Sequence, residues 1–341
     1  MQVTVAGRFP IVRHGEHPLR AAVEAWRARG ETTPEAALRD PDLQNAQAET
    51  QRDLVAAQIE AGVDLPGDGY VPIYDEWFAL AAVVRGVQVE NSIRYLDTNT
   101  YYHRWRITDR PMRVGPSPHV AACHQAVALS DRPVKPCLFG PYTLWAYALK
   151  EGDGATEAAF DALADVWAAE VADLAAAGAH LIQLDESVLL RPKHRADFSL
   201  VERALRRIAQ DAPEANIVLH LACGAVGDLL PRLVDLPVAG LGLDLTDAYR
   251  EPNLAALRGW HGDKLFQAGV ANAREIRTEP AALLRETLAA VTEHIPPARC
   301  LAAPSTALLY LPRHAAFDKL AALARAAHAA RTEDRVLSVE D

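Results

Sequence analysis

The chain has 341 residues, half of them apolar and 23% charged, with a formal net charge of -10 and a pI near 5.7. Such a composition belongs to a folded chain with a buried core and argues against disorder. An acidic balance without a basic stripe repels phosphate backbones and anionic lipid, so neither nucleic acid nor a membrane surface is expected as a partner.

The opening MQVTVAGRFP lacks a basic and apolar leader, and no run reaches the roughly eighteen apolar residues that span a bilayer. Four dispersed cysteines, Cys123, Cys137, Cys223 and Cys300, fit reduced thiols better than a disulfide framework. A cytoplasmic location is expected.

In chain order, short β-like runs alternate with alanine-rich amphipathic stretches, the pattern of βα units around a parallel sheet. The strand candidates are Val3 to Ala6, Val63 to Gly67, Val134 to Phe139, His180 to Asp185, Asn216 to His220, Gly240 to Asp244, Lys264 to Gly269 and Cys300 to Ala303. Apolar residues at three- and four-residue spacing predict helices over Glu157 to Ala177, Leu200 to Ile208, Ala281 to His294 and Ala315 to Ala330. Eight such units predict a (β/α)8 TIM barrel forming one domain over 1–341, with an inserted β-hairpin near residues 91–114. The terminal RTEDRVLSVED is charged enough to fray.

Barrel active sites lie at the C-terminal strand ends, and the residues following these strands are polar. They include Arg8 with His14 and Glu16, Asp68 with Tyr70, Asp185 with Glu186, His220 with Cys223, Asp244 with Asp247, Asn272 with Arg274, and Ser305 with Thr306. Adjacent residues on a strand point to opposite sides, so only one of Asp185 and Glu186 faces inward, and Asp185 is favoured. A helix-capping or ion-paired acid is the competing reading. His220 and Cys223 offer nitrogen and sulfur to zinc, with Asp244 as a third ligand; a hydrogen-bonded core histidine beside a small buried thiol is the alternative.

Several segments together resemble the cobalamin-independent methionine synthase family: GRFP, GDGYVPIYDEWF, RYLDTNTYYHRW, FGPYTL and, most specifically, AGAHLIQLDES. LPVAGLGLDL and APSTALLYLP are more similar to that family's non-catalytic N-terminal barrel. The resemblance implies methyl transfer to a thiol, with folate as a candidate methyl donor and zinc as a candidate cofactor. The family's H-x-C, Glu and Cys ligands correspond here to His220, Ala222, Asp244 and Thr306, leaving His220, Cys223 and Asp244 as the metal candidates.

The resemblance assigns Asp185 to a substrate ammonium, while Tyr70 stands at the Glu of D-G-E and Arg8 at the opening Ser. The expected substrate-binding set is Arg8, Asp68, Tyr70, Asp185, Tyr102 and Trp145, and the expected catalytic set is Asp185, Glu186 and Arg274. Tyr102, within Tyr101 to Trp105, and Trp145 are candidates for stacking on a flat ring such as a pterin. Arg8 and Arg274 either clamp an anion lacking an α-amino group or neutralise nearby carboxylates in ion pairs. Three functions follow: a methionine-synthase-like alkyl transferase acting on a thiol, a metal-free lyase, hydrolase or decarboxylase on an anionic small molecule, and a non-catalytic binding paralogue.

Overall fold

The computed structural model describes residues 1–11, 17–96, 98 and 100–337, with side chains through residue 329. His14 and Glu16, singled out above, lie outside the described residues.

In chain order the strands are β1 (Gln2–Val3), β2 (Val84–Arg94), β3 (Tyr101–Arg113), β4 (Cys137–Phe139), β5 (Leu149–Lys150), β6 (Ile182–Asp185), β7 (Ile217–Leu221), β8 (Gly240–Asp244), β9 (Leu265–Ala271) and β10 (Cys300–Pro304). The α-helices are α1 (Pro18–Ala28), α2 (Pro34–Arg39), α3 (Pro41–Glu60), α4 (Glu76–Ala81), α5 (Pro118–Leu129), α6 (Pro141–Tyr147), α7 (Glu157–Ala176), α8 (Phe198–Asp211), α9 (Leu230–Val234), α10 (Arg250–Ala256), α11 (Ala281–Thr292) and α12 (Arg313–Leu337). Their starts are written in the sequence. Thr33, Asp40, Asp75, Ser117 and Thr156 each accept a first-turn amide with the side chain. Proline follows the cap in α1, α2, α3, α5 and α6, where its missing N–H costs nothing.

Seven strands form a curled, wholly parallel sheet in the order β1-β10-β9-β8-β7-β6-β4. The expected strand Val63 to Gly67 is not a regular strand. It makes one parallel bridge, Thr4 to Leu65, and its backbone meets Val3 O on one side and the Lys135 amide on the other. Pro66 has no N–H to donate and Gly67 no side chain to pack, which limits this stretch to isolated contacts. The hairpin differs as well. It begins at Val84, seven residues before the expected Asn91, and pairs β2 antiparallel with β3 in a second sheet that β5 extends. Helix α12 continues through Leu337, over the first part of the segment expected to fray.

Strand alternation gives the main sheet two unlike faces. Ile182, Leu184, Leu219, Leu221, Leu241, Leu243 and Phe266 are all buried in the main apolar core under the helices. The concave face is layered. Leu65, Leu181, Val218 and Leu301 form a separate apolar cluster at its N-terminal end, and Leu265 packs against it. Above this plug lie the polar side chains Lys135, Gln183, Gln267 and His220, each 0% exposed. The C-terminal edge follows, with Asp185 and Asp244.

Candidate functional site

The site rests on the buried polar layer. Lys135 Nζ donates to Val5 O, Gln183 Oε1 and Gln267 Oε1, which uses all three ammonium hydrogens. Burial lowers the Lys135 pKa, yet three acceptors in hydrogen-bonding range require three donors, so the geometry is that of the ammonium form. Because the Gln267 oxygen is taken, its NH2 points the other way, to Gln183 Oε1 at 3.0 Å and His220 Nδ1 at 3.1 Å. His220 must therefore accept at Nδ1 and donate from Nε2 to Ser305 O at 3.0 Å. It is a neutral imidazole, its pKa pushed down to about 3 by burial and by Lys135. Gly242 is glycine for the same reason, since a Cβ there would collide with His220 Nδ1.

Asp185 stands above this layer and accepts from Gln183 Nε2 at 3.3 Å. Burial raises its pKa to about 8, with Lys135 opposing and Glu76 adding to the rise. Tyr95 lies in the same field, near Asp185, Cys223, Tyr310 and Ser187, and burial holds its hydroxyl in the neutral form. Arg8 pairs with Glu76 Oε1 at 2.5 Å and donates to Tyr102 Oη at 3.0 Å. Burial works against the Arg8 cation, but Glu76 and Tyr102 outweigh it and raise its pKa. Glu76 is raised in turn by burial, against the pull of Arg8. Arg8, Glu76, Tyr102, Tyr95 and Asp185 thus form one electrostatic cluster at the C-terminal edge.

A second cluster surrounds Asp244, which is 0% exposed. Its oxygens accept from Cys223 N at 3.1 Å, Thr246 N at 3.0 Å, Thr246 Oγ1 at 2.6 Å and Arg274 NH1 at 2.6 Å. Cys223 lies beyond the end of β7 with φ +57, a left-handed conformation rarely adopted by a residue with a Cβ. On a regular strand it would point away; this turn brings Sγ to 3.3 Å from Arg274 NH1. Arg274 also reaches Thr246 Oγ1 at 3.0 Å and Asp247 Oδ2 at 3.5 Å.

These residues do not fit zinc. A ligating imidazole needs a free ring nitrogen, but both His220 nitrogens are engaged. Asp244 is saturated by donors, and a guanidinium occupies the position between Asp244 and Cys223 that a cation would take. Among the described residues no group of three potential ligands converges on one point. Both arginines are ion-paired, Arg8 with Glu76 and Arg274 with Asp244.

Other expected site residues fall elsewhere. Glu186, 1% exposed, accepts from Tyr142 N, Thr143 N and Thr143 Oγ1 at the start of α6, a helix that precedes β6 rather than the following helix that the capping reading expects. Its pKa is pushed up to about 7 by burial. Trp145 packs edge-on against Phe160 and beneath Lys150, toward α7 and β5. Asp68 binds His119 Nε2 at 2.6 Å, and Tyr70 stacks on the His119 ring with centroids 4.5 Å apart. Tyr70 and Glu76 line a common cavity of ≈ 30 Å³, linking this pair to the Arg8 cluster. Sequence reasoning missed Glu76, Tyr95, His119 and Tyr310. Glu76 carried the clearest signal, lying two residues past Tyr74 in the same GDGYVPIYDEWF segment, but it is also the first residue of α4, where an acid is ordinary.

Residues 71–296, two thirds of the chain, match the family model described as "Cobalamin-independent synthase, N-terminal domain". Two relatives named 5-methyltetrahydropteroyltriglutamate--homocysteine methyltransferase are similar in sequence. The one from Streptomyces coelicolor is 32% identical over 210 residues, 59% of this chain and 27% of that protein. The one from Streptomyces avermitilis is 30% identical over 255 residues, 72% of this chain and 32% of that protein. The chain therefore spans a third or less of these relatives' length. In fold it is similar to a B12-independent methionine synthase from Shewanella, solved in complex with selenomethionine, with a TM-score of 0.78, 18% identity and 98% of each chain covered. A putative vitamin-B12 independent methionine synthase from Listeria monocytogenes gives 0.69 and 17%, over 96% of this chain and 98% of that one. By the family-model match over residues 71–296 and the 30% identity across 72% of its length, the chain belongs to the cobalamin-independent synthase family.

Proposed function

We propose that the protein is a methionine-synthase-like transferase that binds a small α-amino acid bearing a thiol or thioether at the C-terminal edge of the sheet. In this reading the sheet is a (β/α)8 barrel with residues 63–67 as its eighth stave. The observation that carries the proposal is the cluster of one cation and two carboxylates, Arg8, Glu76 and Asp185, walled by Tyr95 and Tyr102. Asp185 faces the ligand ammonium, and the guanidinium of Arg8 serves its carboxylate. Tyr70 replaces a carboxylate of the family pattern, and Glu76 supplies another within the same electrostatic field, which supports an ammonium-bearing ligand over an ammonium-free anion.

No step is routed through zinc. Arg274, already a donor to the Cys223 sulfur, is the cation placed to hold a substrate thiolate; methyl transfer would form a bond from the thiolate sulfur to the methyl carbon as the bond from that carbon to the donor breaks, its electron pair staying on the donor, which then takes up a proton. The Streptomyces relatives' names give 5-methyltetrahydropteroyltriglutamate and homocysteine, and that pair is the first to assay. Calorimetric titration with L-homocysteine, L-selenomethionine and 4-mercaptobutyrate tests the binding. The des-amino compound should bind at least about tenfold more weakly, the scale of one lost charged hydrogen bond, and Asp185→Asn should erase that preference. Equal binding of all three compounds would end this reading. Binding without methyl transfer would identify a non-catalytic paralogue, which the occupied position beside Asp244 would explain.

A further inference from the structure

Outside the site lies a cavity of ≈ 470 Å³ between α2, α3, α4 and α5, within the size range of small-molecule sites. Its walls are largely apolar, with Leu38, Val71, Ile73, Phe78 and Pro118 among them, and no acidic, basic or histidine side chain lines it. Apart from the Tyr70 hydroxyl, the polar side-chain groups are amides, and three of them are oriented. Gln44 Nε2 donates to Leu38 O at 2.6 Å and Gln47 Nε2 to Val71 O at 2.6 Å. Gln51, 3% exposed, spends its Nε2 on Asp68 O at 2.8 Å and Ala122 O at 2.6 Å. The NH2 groups of Gln44, Gln47 and Gln51 are thus turned into the protein wall. Gln51 Oε1 has no hydrogen-bond partner among the described residues, on a side chain that lines the cavity, and the Tyr70 hydroxyl, on the same wall, is buried without one.

We propose that this cavity is a second ligand site, for an uncharged aromatic molecule that presents N–H donors to the Gln51 and Gln47 oxygens. An anion would meet carbonyl oxygens and apolar walls with no cation to balance it, whereas a neutral amide or aminoheterocycle satisfies Gln51 and buries its ring against Phe78 and Ile73. Tyr70 also lines the cavity and stacks on His119, so this cavity and the one beside Glu76 share the Tyr70 wall.

The probes are benzamide, its dimethylated form N,N-dimethylbenzamide, and benzoate, measured by calorimetry and ligand-observed NMR on the full chain. Benzamide should bind at least about tenfold more tightly than either analogue, because one lacks the donors and the other adds an uncompensated charge. Ala48→Phe, which fills the cavity from α3, should abolish benzamide binding and leave L-selenomethionine titration at the sheet edge as in the wild type. Ala122→Phe, from α5, serves the same purpose if the first variant does not fold. Benzoate or the dimethyl compound binding as well as benzamide, no benzamide binding at its solubility limit, or benzamide binding retained in a folded filled variant would overturn the proposal. Because the filled variants are also titrated with L-selenomethionine, failure here is distinct from failure of the edge site.

Discussion

Asp185 is the residue on which pH should act most directly. Its carboxyl titrates near 8 in the fold against an ordinary value of 3.8, so the folded state binds the extra proton across that interval. A group raised in this direction contributes its stability fully below pH 4, and that contribution is lost as pH rises through 8. Stability should therefore fall between pH 4 and 8 with a slope of up to about 1.4 kcal/mol per pH unit from this group. Asp185→Asn should flatten that slope in urea titrations at several pH values; an unchanged profile would remove Asp185 from the account. The same proton opposes an ammonium ligand, so amino-acid affinity should strengthen from pH 6.5 to 8.5 with release of a proton. Arg274 supports a second prediction. Replacing it by Met leaves Asp244 fully buried with only neutral donors, which should cost about 2 kcal/mol, below the 3 to 5 typical of a broken buried pair because Arg274 is partly exposed. Wild-type protein dialysed against zinc should retain no stoichiometric metal by elemental analysis; one retained zinc per chain would contradict the displacement of metal by this guanidinium.

At the scale of elements, the sequence was most legible where one period governs a segment. The expected strand Gly240 to Asp244 is β8 to the residue, and the other six of the seven-stranded sheet fall within three residues of expectation at each end. Periodicity was blind where chain chemistry interferes. Val63 to Gly67 has a strand's apolar content, but Pro66 withholds a donor. The hairpin starts earlier than expected because Val84, Arg85, Val87, Gln88 and Val89, close behind α4, already pair with β3. The acid pair at the end of β6 shows what alternation alone can decide. It placed Asp185 inward beside Gln183, yet the destination of Glu186 depends on α6, forty residues earlier in the chain. There the paired amides of Tyr142 and Thr143 receive it. Glu186→Ala should cost about 1 to 2 kcal/mol by stripping this cap, and Glu186→Gln less, since one acceptor oxygen remains. Thermal unfolding of the two variants side by side would test that order. Equal losses would mean that both carboxylate oxygens are required, while no loss in Glu186→Gln would mean that packing against Gly140 fixes the side chain.

Across the whole molecule, the concave face of the sheet is held by a polar relay that no sequence window could reveal, because its members are spread from Val5 to Ser305. Lys135 ties the segment after β1 to β6 and β9, Gln267 passes the contact to β7 through His220, and His220 closes it on Ser305 after β10. Each link dictates the next. The ammonium fixes both glutamine amides, and the Gln267 amide fixes the His220 tautomer. Directly, through Gln183, the relay also presents an N–H to Asp185. Lys135→Met keeps the stem's volume while removing three donors, leaving a carbonyl and two amide oxygens buried and free to reorient. At about 1 to 3 kcal/mol per unsatisfied buried group, partly recovered by amide flips, the variant should lose at least about 3 kcal/mol in urea unfolding. Its effect should also reach the ligand, since a flipped Gln183 would turn its oxygen toward Asp185 and raise that carboxyl further. Amino-acid affinity at neutral pH should then drop, with a larger share recovered at pH 9 than in the wild type. A variant that loses stability while keeping the wild-type pH profile of binding would show that Lys135 supports the sheet without setting the charge of Asp185.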